Sequence, residues 1–187
     1  SRLVEKRLAS GVSKIYSTSY SFAALKEDGS VVTWGAAMFG GDSSSISGKL
    51  SSQVIEVVST GSAFAALRED GSVVTWGMVD SSVDTSRSLS SDVVNVFSNR
   101  THFFALKTDG SVYRWGAESG SGFIENVNFE RIFNVSSILA EGKFYALLDS
   151  QKTVLAVGGP RNNLKRLKES IRSTRDWIAH TKNEGPG

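Results

Sequence analysis

The sequence contains no cysteine. That single absence removes disulfides, thiolate catalysis, zinc fingers and iron–sulfur sites, and it leaves the redox compartment open. Histidine is nearly missing too: there are two, His102 and His180. Neither belongs to a His-x-x-x-His or Glu-His cluster, so no donor set for a catalytic metal is present. The phosphate-cradling G-x-x-x-x-G-K loop, the dinucleotide fingerprint and the G-x-S-x-G elbow are also lacking. Neither a cofactor nor an enzymatic activity is expected. No apolar run approaches the roughly 20 residues that span a bilayer, and the N-terminus has no apolar signal core. The chain is expected to be soluble, and nothing in it names a compartment.

What is present is repetition. "FAALKEDGSVVTWG" (Phe22 to Gly35) and "FAALREDGSVVTWG" (Phe64 to Gly77) differ only at Lys26 and Arg68. A third copy reads "FFALKTDGSVYRWG" (Phe103 to Gly116). A fourth, "FYALLDSQKTVLAVG" (Phe144 to Gly158), is degraded, with one extra residue assigned to its turn and Val157 where a tryptophan is expected. Upstream of each copy lies a V-x-x-[IV] pair: Val12 and Ile15, Val54 and Val57, Val93 and Val96, Val135 and Ile138. Leu8, Leu50 and Leu89 each precede the first valine of their unit by four residues. A catalytic site is assembled once from unlike residues, so a segment written several times points to architecture.

Each unit predicts a hairpin. Asp28-Gly29, Asp70-Gly71 and Asp109-Gly110 sit between β-prone runs, where Asp-Gly tolerates the positive φ of a tight turn. The V-x-x-[IV] segment adds a further strand. Both hairpin arms carry adjacent apolar residues instead of strict alternation, so both faces of each small sheet are expected to be covered. Small alanines and the bulky Trp34-Gly35, Trp76-Gly77 and Trp115-Gly116 pairs suit close stacking. The fold class is all-β, a repeat protein of β-propeller type with about four short blades. The blades are expected over 8–49, 50–88, 89–130 and 131–159, within a repeat domain over 1–159.

The pattern A-L-x-x-D-G-x-V-x-x-W-G resembles the regulator of chromosome condensation (RCC1-like) repeat. It matches at Ala24-Leu25 through Gly35, Ala66-Leu67 through Gly77 and Ala105-Leu106 through Gly116. The resemblance implies a propeller, most familiarly of seven blades, and it brings nucleotide exchange on a small GTPase into view as a second function. The units here are shorter than the family's, and Trp34-Gly35 leads into "AAMFGGDSSSISG" where the family has N-x-x-G-Q-L-G. Four units leave three ways to finish a ring: they close by themselves, they belong to a larger parent chain, or copies of the chain assemble edge to edge.

Candidate binding residues lie where the units stop agreeing. The loop 36–48 offers Phe39 and Asp42, the loop 78–88 offers Met78 and Asp80, and the segment 117–130 offers Phe123 and Glu125, all on a scaffold that tolerates loop change. Asp28, Asp70 and Asp109 recur as a set, but their turns already account for them, and a calcium loop needs several oxygen ligands close in sequence.

The tail differs in kind. After Gly158-Gly159-Pro160 it carries seven basic and three acidic residues, against 14 and 16 before it, so the formal net charge of +2 conceals a basic C-terminus. Leu164, Leu167, Ile171, Thr174 and Ile178 fall at helical spacing beside Trp177, flanked by Lys165, Arg166, Lys168, Arg172 and Arg175. An amphipathic C-terminal α-helix is expected over this 160–187 segment. It has two main fates, docking on its own last blade or engaging a partner. Contact with nucleic acid or an anionic membrane ranks behind these. The function expected is a non-enzymatic protein-binding or assembly module.

Overall fold

The computed structural model describes residues 2–79, 88–116, 129 and 132–159. After a short helix α1 (Arg2–Leu8), the described chain forms four antiparallel sheets of three strands each. Blade 1 holds β1 (Val12–Ser17), β2 (Ser21–Lys26) and β3 (Val31–Gly35). Blade 2 holds β4 (Val54–Ser59), β5 (Ala63–Arg68) and β6 (Val73–Gly77). Blade 3 holds β7 (Val93–Ser98), β8 (His102–Lys107) and β9 (Val112–Gly116), and blade 4 holds β10 (Ser137–Glu141), β11 (Phe144–Leu148) and β12 (Val154–Gly158). Strands run in sequence order within every sheet. The predicted C-terminal helix and its residues lie outside the described residues.

The adjacent apolar residues of each middle strand serve two different interfaces. Ala23, Leu25 and Val31 of blade 1 pack against Val57, Phe64, Ala66 and Trp76 of blade 2. Ala65 and Leu67, on the opposite face of blade 2, pack against Val96, Phe103, Ala105 and Trp115 of blade 3. Phe104, Leu106 and Val112 then meet Ile138, Tyr145 and Leu147 of blade 4. Every joint sets the leading face of one blade on the trailing face of the next, and burial on both faces replaces the period-2 alternation of a half-solvated sheet. Leu50 and Leu89 are buried in the first two joints. At Leu50 and Leu89 the sequence marker four residues before the valine is therefore a packing residue.

Backbone hydrogen bonds tie the same joints at both ends. At one end the turns between first and second strands form a ladder: the N–H of Ser19 donates to Gly61 (3.0 Å), that of Gly61 to Arg100 (2.8 Å) and that of Arg100 to Gly142 (2.7 Å). At the other end the N–H groups of Val54, Val93 and Val135 donate to the carbonyls of Gly29, Gly71 and Gly110 in the preceding blade, at 3.0–3.1 Å.

The Asp-Gly turns depart from the two-residue geometry that Asp-Gly suggests. Lys26 N–H donates to Ser30 O and Gly29 N–H to Lys26 O, and only the glycine has positive φ (74°). This is a three-residue loop, a type I turn closed by a left-handed residue. The aspartate instead braces the loop from within, since Asp28, Asp70 and Asp109 accept the N–H of Ser30, Ser72 and Ser111.

The fourth unit corrects the sequence alignment. Its turn has the same length as the others, with Lys152 in the left-handed place (φ 65°). The extra residue is a β-bulge: Leu147 pairs with Ala156 and Leu148 with Val154, leaving Leu155 unpaired. Tyr145, not Phe144, then occupies the place of Phe22, Phe64 and Phe103. Opposite it stands Gly158 rather than Val157, where the other blades have tryptophan. A Cβ on Gly158 would run into the Tyr145 ring, so one tyrosine fills the space of a stacked pair.

Candidate binding surface

The three tryptophans of the repeated segments occupy equivalent positions. Each stacks on the phenylalanine directly across the sheet, Phe22–Trp34, Phe64–Trp76 and Phe103–Trp115, with ring centroids 5.2–5.3 Å apart. They converge on no shared cleft, and each belongs to its own blade. The repeated aspartates lie at the hairpin end. There the Ser30, Ser72 and Ser111 hydroxyls and N–H groups hold their carboxyls below the usual carboxylate range. Each is occupied by its own turn.

Phe39 and Met78 are gathered at the opposite end. Phe39 lies in a 3₁₀ turn (Ala37–Phe39), its ring 4.6 Å from that of Tyr20 and its carbonyl accepting from Thr18 Oγ1. The next residue, Gly40, reaches the second blade, where its carbonyl accepts the buried Trp76 Nε1–H at 3.0 Å. Met78 follows Gly77 and donates its N–H to Ser62 O. Asp42 is exposed and accepts the N–H of Ser44 at 2.9 Å, which lowers its pKa. Asp80, Phe123, Glu125 and the tail residues Lys165, Arg166, Lys168, Arg172, Arg175 and Trp177 lie outside the described residues.

The surface that sequence reasoning missed is blade 1's trailing face. Ile15 is 60% exposed and Phe22 43%, whereas their equivalents Val57, Val96 and Ile138 are 1–3% exposed and Phe64, Phe103 and Tyr145 0–4%. Helix α1 covers the outer part of this face, where Arg7 donates to Val31 O and Lys26 Nζ to Arg7 O. The inner part stays open. Tyr20 and Met38, 64% and 66% exposed, belong to the loop cluster around Phe39 at the same end of the blade. A core-type aromatic pair therefore faces solvent at the edge of the loop cluster, a patch of the kind that marks interaction sites.

His102, one of the two histidines, is structural. It opens β8, is buried, and places Nδ1 2.9 Å from Thr101 Oγ1. Burial, and then the charge of Arg114, lower its pKa from 6.5 to about 4. The folded chain keeps His102 neutral while the unfolded chain takes up a proton below pH 6.5. The associated stability is whole above that pH and is lost as pH falls toward 4. We expect a loss of about 2 kcal/mol across this window, reduced from full conversion for partial screening. His102→Gln should remove that part of the pH dependence. Urea melts of both proteins check it, and parallel stability–pH curves would exclude the assignment.

These stacked three-stranded blades define an all-β repeat protein of β-propeller type. One solved structure agrees in fold. Prp20p from Saccharomyces cerevisiae aligns with a TM-score of 0.50 at 19% identity, over 80% of this chain and 44% of that one. The CRINKLY WD40 ectodomain of the Arabidopsis thaliana receptor kinase ACR4 aligns with a TM-score of 0.47 at 17% identity, over 74% of this chain and 46% of that one. The chain thus spans less than half the length of either. No protein-family model matches it, and no curated relative matches its sequence. Among the described residues no helix is long and apolar enough to cross a membrane.

Proposed function

We propose that the chain is a non-enzymatic protein-binding or assembly module on a propeller scaffold of the regulator of chromosome condensation type, with partner contacts from its inter-blade loops and its basic C-terminal segment. The observation that supports this most directly is the cluster of large apolar side chains held in solvent at one end of a hydrogen-bonded stack: Tyr20, Phe22 and Met38, with Met78 on the next blade. Rigid blades fix these residues without an ordering cost at binding, which is what a contact anchor requires.

A photo-reactive amino acid at Met38, in extracts of cells expressing the chain, should give a discrete adduct with a foreign protein, and the same probe at Ser45 should not. Tyr20→Ala should weaken the adduct while leaving the melting temperature unchanged. A diffuse adduct pattern at both positions would sink the reading.

A second reading is nucleotide-exchange regulation of a small GTPase. Its support is the likeness to Prp20p, whose structure was described together with its binding to Gsp1p and histones. Release of a fluorescent guanine nucleotide from a panel of GTPases tests it directly, and unchanged release rates across the panel exclude it.

A further inference from the structure

We propose that the segment after β12, residues 160–187, lies back across the outer half of blade 4's leading face, with its apolar stripe of Leu164, Leu167 and Ile171 on Leu148, Val154 and Val157. The inference goes beyond the binding reading above and does not rest on it.

The pattern of burial on blade 4 gives the shape of what covers it. Leu148 and Val157 share the leading face with Ala146, the counterpart of Ala23 and Ala65. Among the described residues no blade follows blade 4, yet these two side chains are only 8% and 9% exposed. Leu139, on the inner strand of the same face, is 63% exposed. A following blade reaches the inner strand as well: Tyr16, Val58 and Phe97, the counterparts of Leu139, are partly buried in the three joints. The cover on blade 4 spans the outer strands and stops short of the inner one, as a connecting segment does and a blade does not.

The other blades show where such a segment comes from. Leu25–Val31, Leu67–Val73, Leu106–Val112 and Leu148–Val154 are four versions of one cross-strand pair. After blade 1 the chain doubles back, so that Ile46 and Leu50 join the cluster holding Leu25 and Val31, and Ser43 Oγ lies 2.9 Å from Thr33 Oγ1. After blade 2, Val79 and Leu89 join the cluster holding Leu67 and Val73, and Leu89 O accepts the Val73 N–H at 2.8 Å. After blade 3, Phe129 and Ile132 join the cluster holding Leu106 and Val112. Each third strand is thus followed by chain that returns over the leading face of its own blade. Residues 160–187 follow β12, and the same pair stands at Leu148 and Val154.

The chemistry of the two surfaces agrees. Val157 occupies the place of Thr33, Thr75 and Arg114. Thr33 meets its connector through a hydroxyl, and Arg114 meets its own through a guanidinium 5.6 Å from the Phe129 ring centroid. A valine offers neither contact, so its burial calls for an apolar neighbour. Leu164, Leu167 and Ile171, at helical spacing, supply one. Lys165 and Arg172 then lie away from the blade. The stripe is held by the chain's own scaffold, not kept for a partner helix, and the basic side is the one left for contact.

Because the chain has no cysteine, a single introduced thiol reports on this face. In the full chain Val157→Cys should react slowly with a thiol reagent, and adding Leu167→Asp with Ile171→Asp should speed that reaction about tenfold or more. Adding Lys165→Asp with Arg172→Asp should leave the rate unchanged. Leu106→Cys, 5% exposed in the third joint, should stay protected in both backgrounds, which separates undocking from general unfolding. In the otherwise unaltered chain, Val157→Cys combined with Leu164→Cys, Leu167→Cys or Ile171→Cys should close a disulfide on mild oxidation for at least one pair, and with Arg172→Cys it should not. A thiol at 157 that reacts at the rate of an exposed one, a rate unmoved by the stripe substitutions, or no disulfide from any stripe position would each overturn the proposal.

Discussion

Trp76→Ala is expected to destabilise the chain by about 3–5 kcal/mol, and Trp34→Ala by only about 1 kcal/mol, although both residues occupy the same place in segments that differ at one position. Trp76 is buried between two blades, stacks on Phe64, and donates its indole N–H to Gly40 O at 3.0 Å. Its removal leaves a cavity in the first joint and strands a buried carbonyl. Trp34 makes the same stack on Phe22, but that pair lies on the open face of blade 1, where water fills the space. Urea denaturation of the two variants measures the difference. Equal costs would mean that the stack within a sheet, and not the joint between sheets, holds the protein together.

The second large effect is at a turn. Gly71→Lys should cost about 3 kcal/mol or more, while Lys152→Gly should change stability by less than about 1 kcal/mol. Both positions are left-handed, with φ of 74° and 65°. Conformation alone would make Gly71→Lys a loss of about 1–2 kcal/mol. The remainder comes from crowding. A Cβ on Gly71 would sit 3.0 Å from the Asp92 backbone N, beside the bond from Val93 N–H to Gly71 O that ties blade 3 to blade 2. Among the described residues, Lys152 has no following blade against its turn. Melting temperatures give the comparison, at about 2–4 °C per kcal/mol for a chain of this size. A harmless Gly71→Lys would show that the hairpin end bears no load in the joint.

Much of this architecture is legible in the sequence. The valine pairs and the Asp-Gly turns locate the strands, because chemistry repeated at about forty residues has to build the same unit each time. The double-apolar strands imply two buried faces. Two expectations fail for local reasons. The extra residue of the fourth unit suggests a longer turn, but Lys152 tolerates the left-handed conformation and keeps the turn unchanged. The chain absorbs the surplus as a bulge at Leu155, and Gly158 falls opposite Tyr145. The Asp-Gly pair suggests a two-residue hairpin, whereas the serine after each glycine donates to the aspartate and favours the longer loop.

The candidate surface is legible only in part. Phe39 and Met78 stand out because the loops diverge, yet Ile15 and Phe22 cannot, since Phe22 sits in a segment nearly identical to one whose phenylalanine is fully buried.

By itself the sequence determined the unit: which residues pair, where the chain turns and which side chains are apolar, all properties of local chemistry and short-range periodicity. Only the tertiary structure decided which copies of that unit are core and which are surface. Burial belongs to the joint between two sheets, and a face becomes core when another blade lies on it, whatever residues it carries.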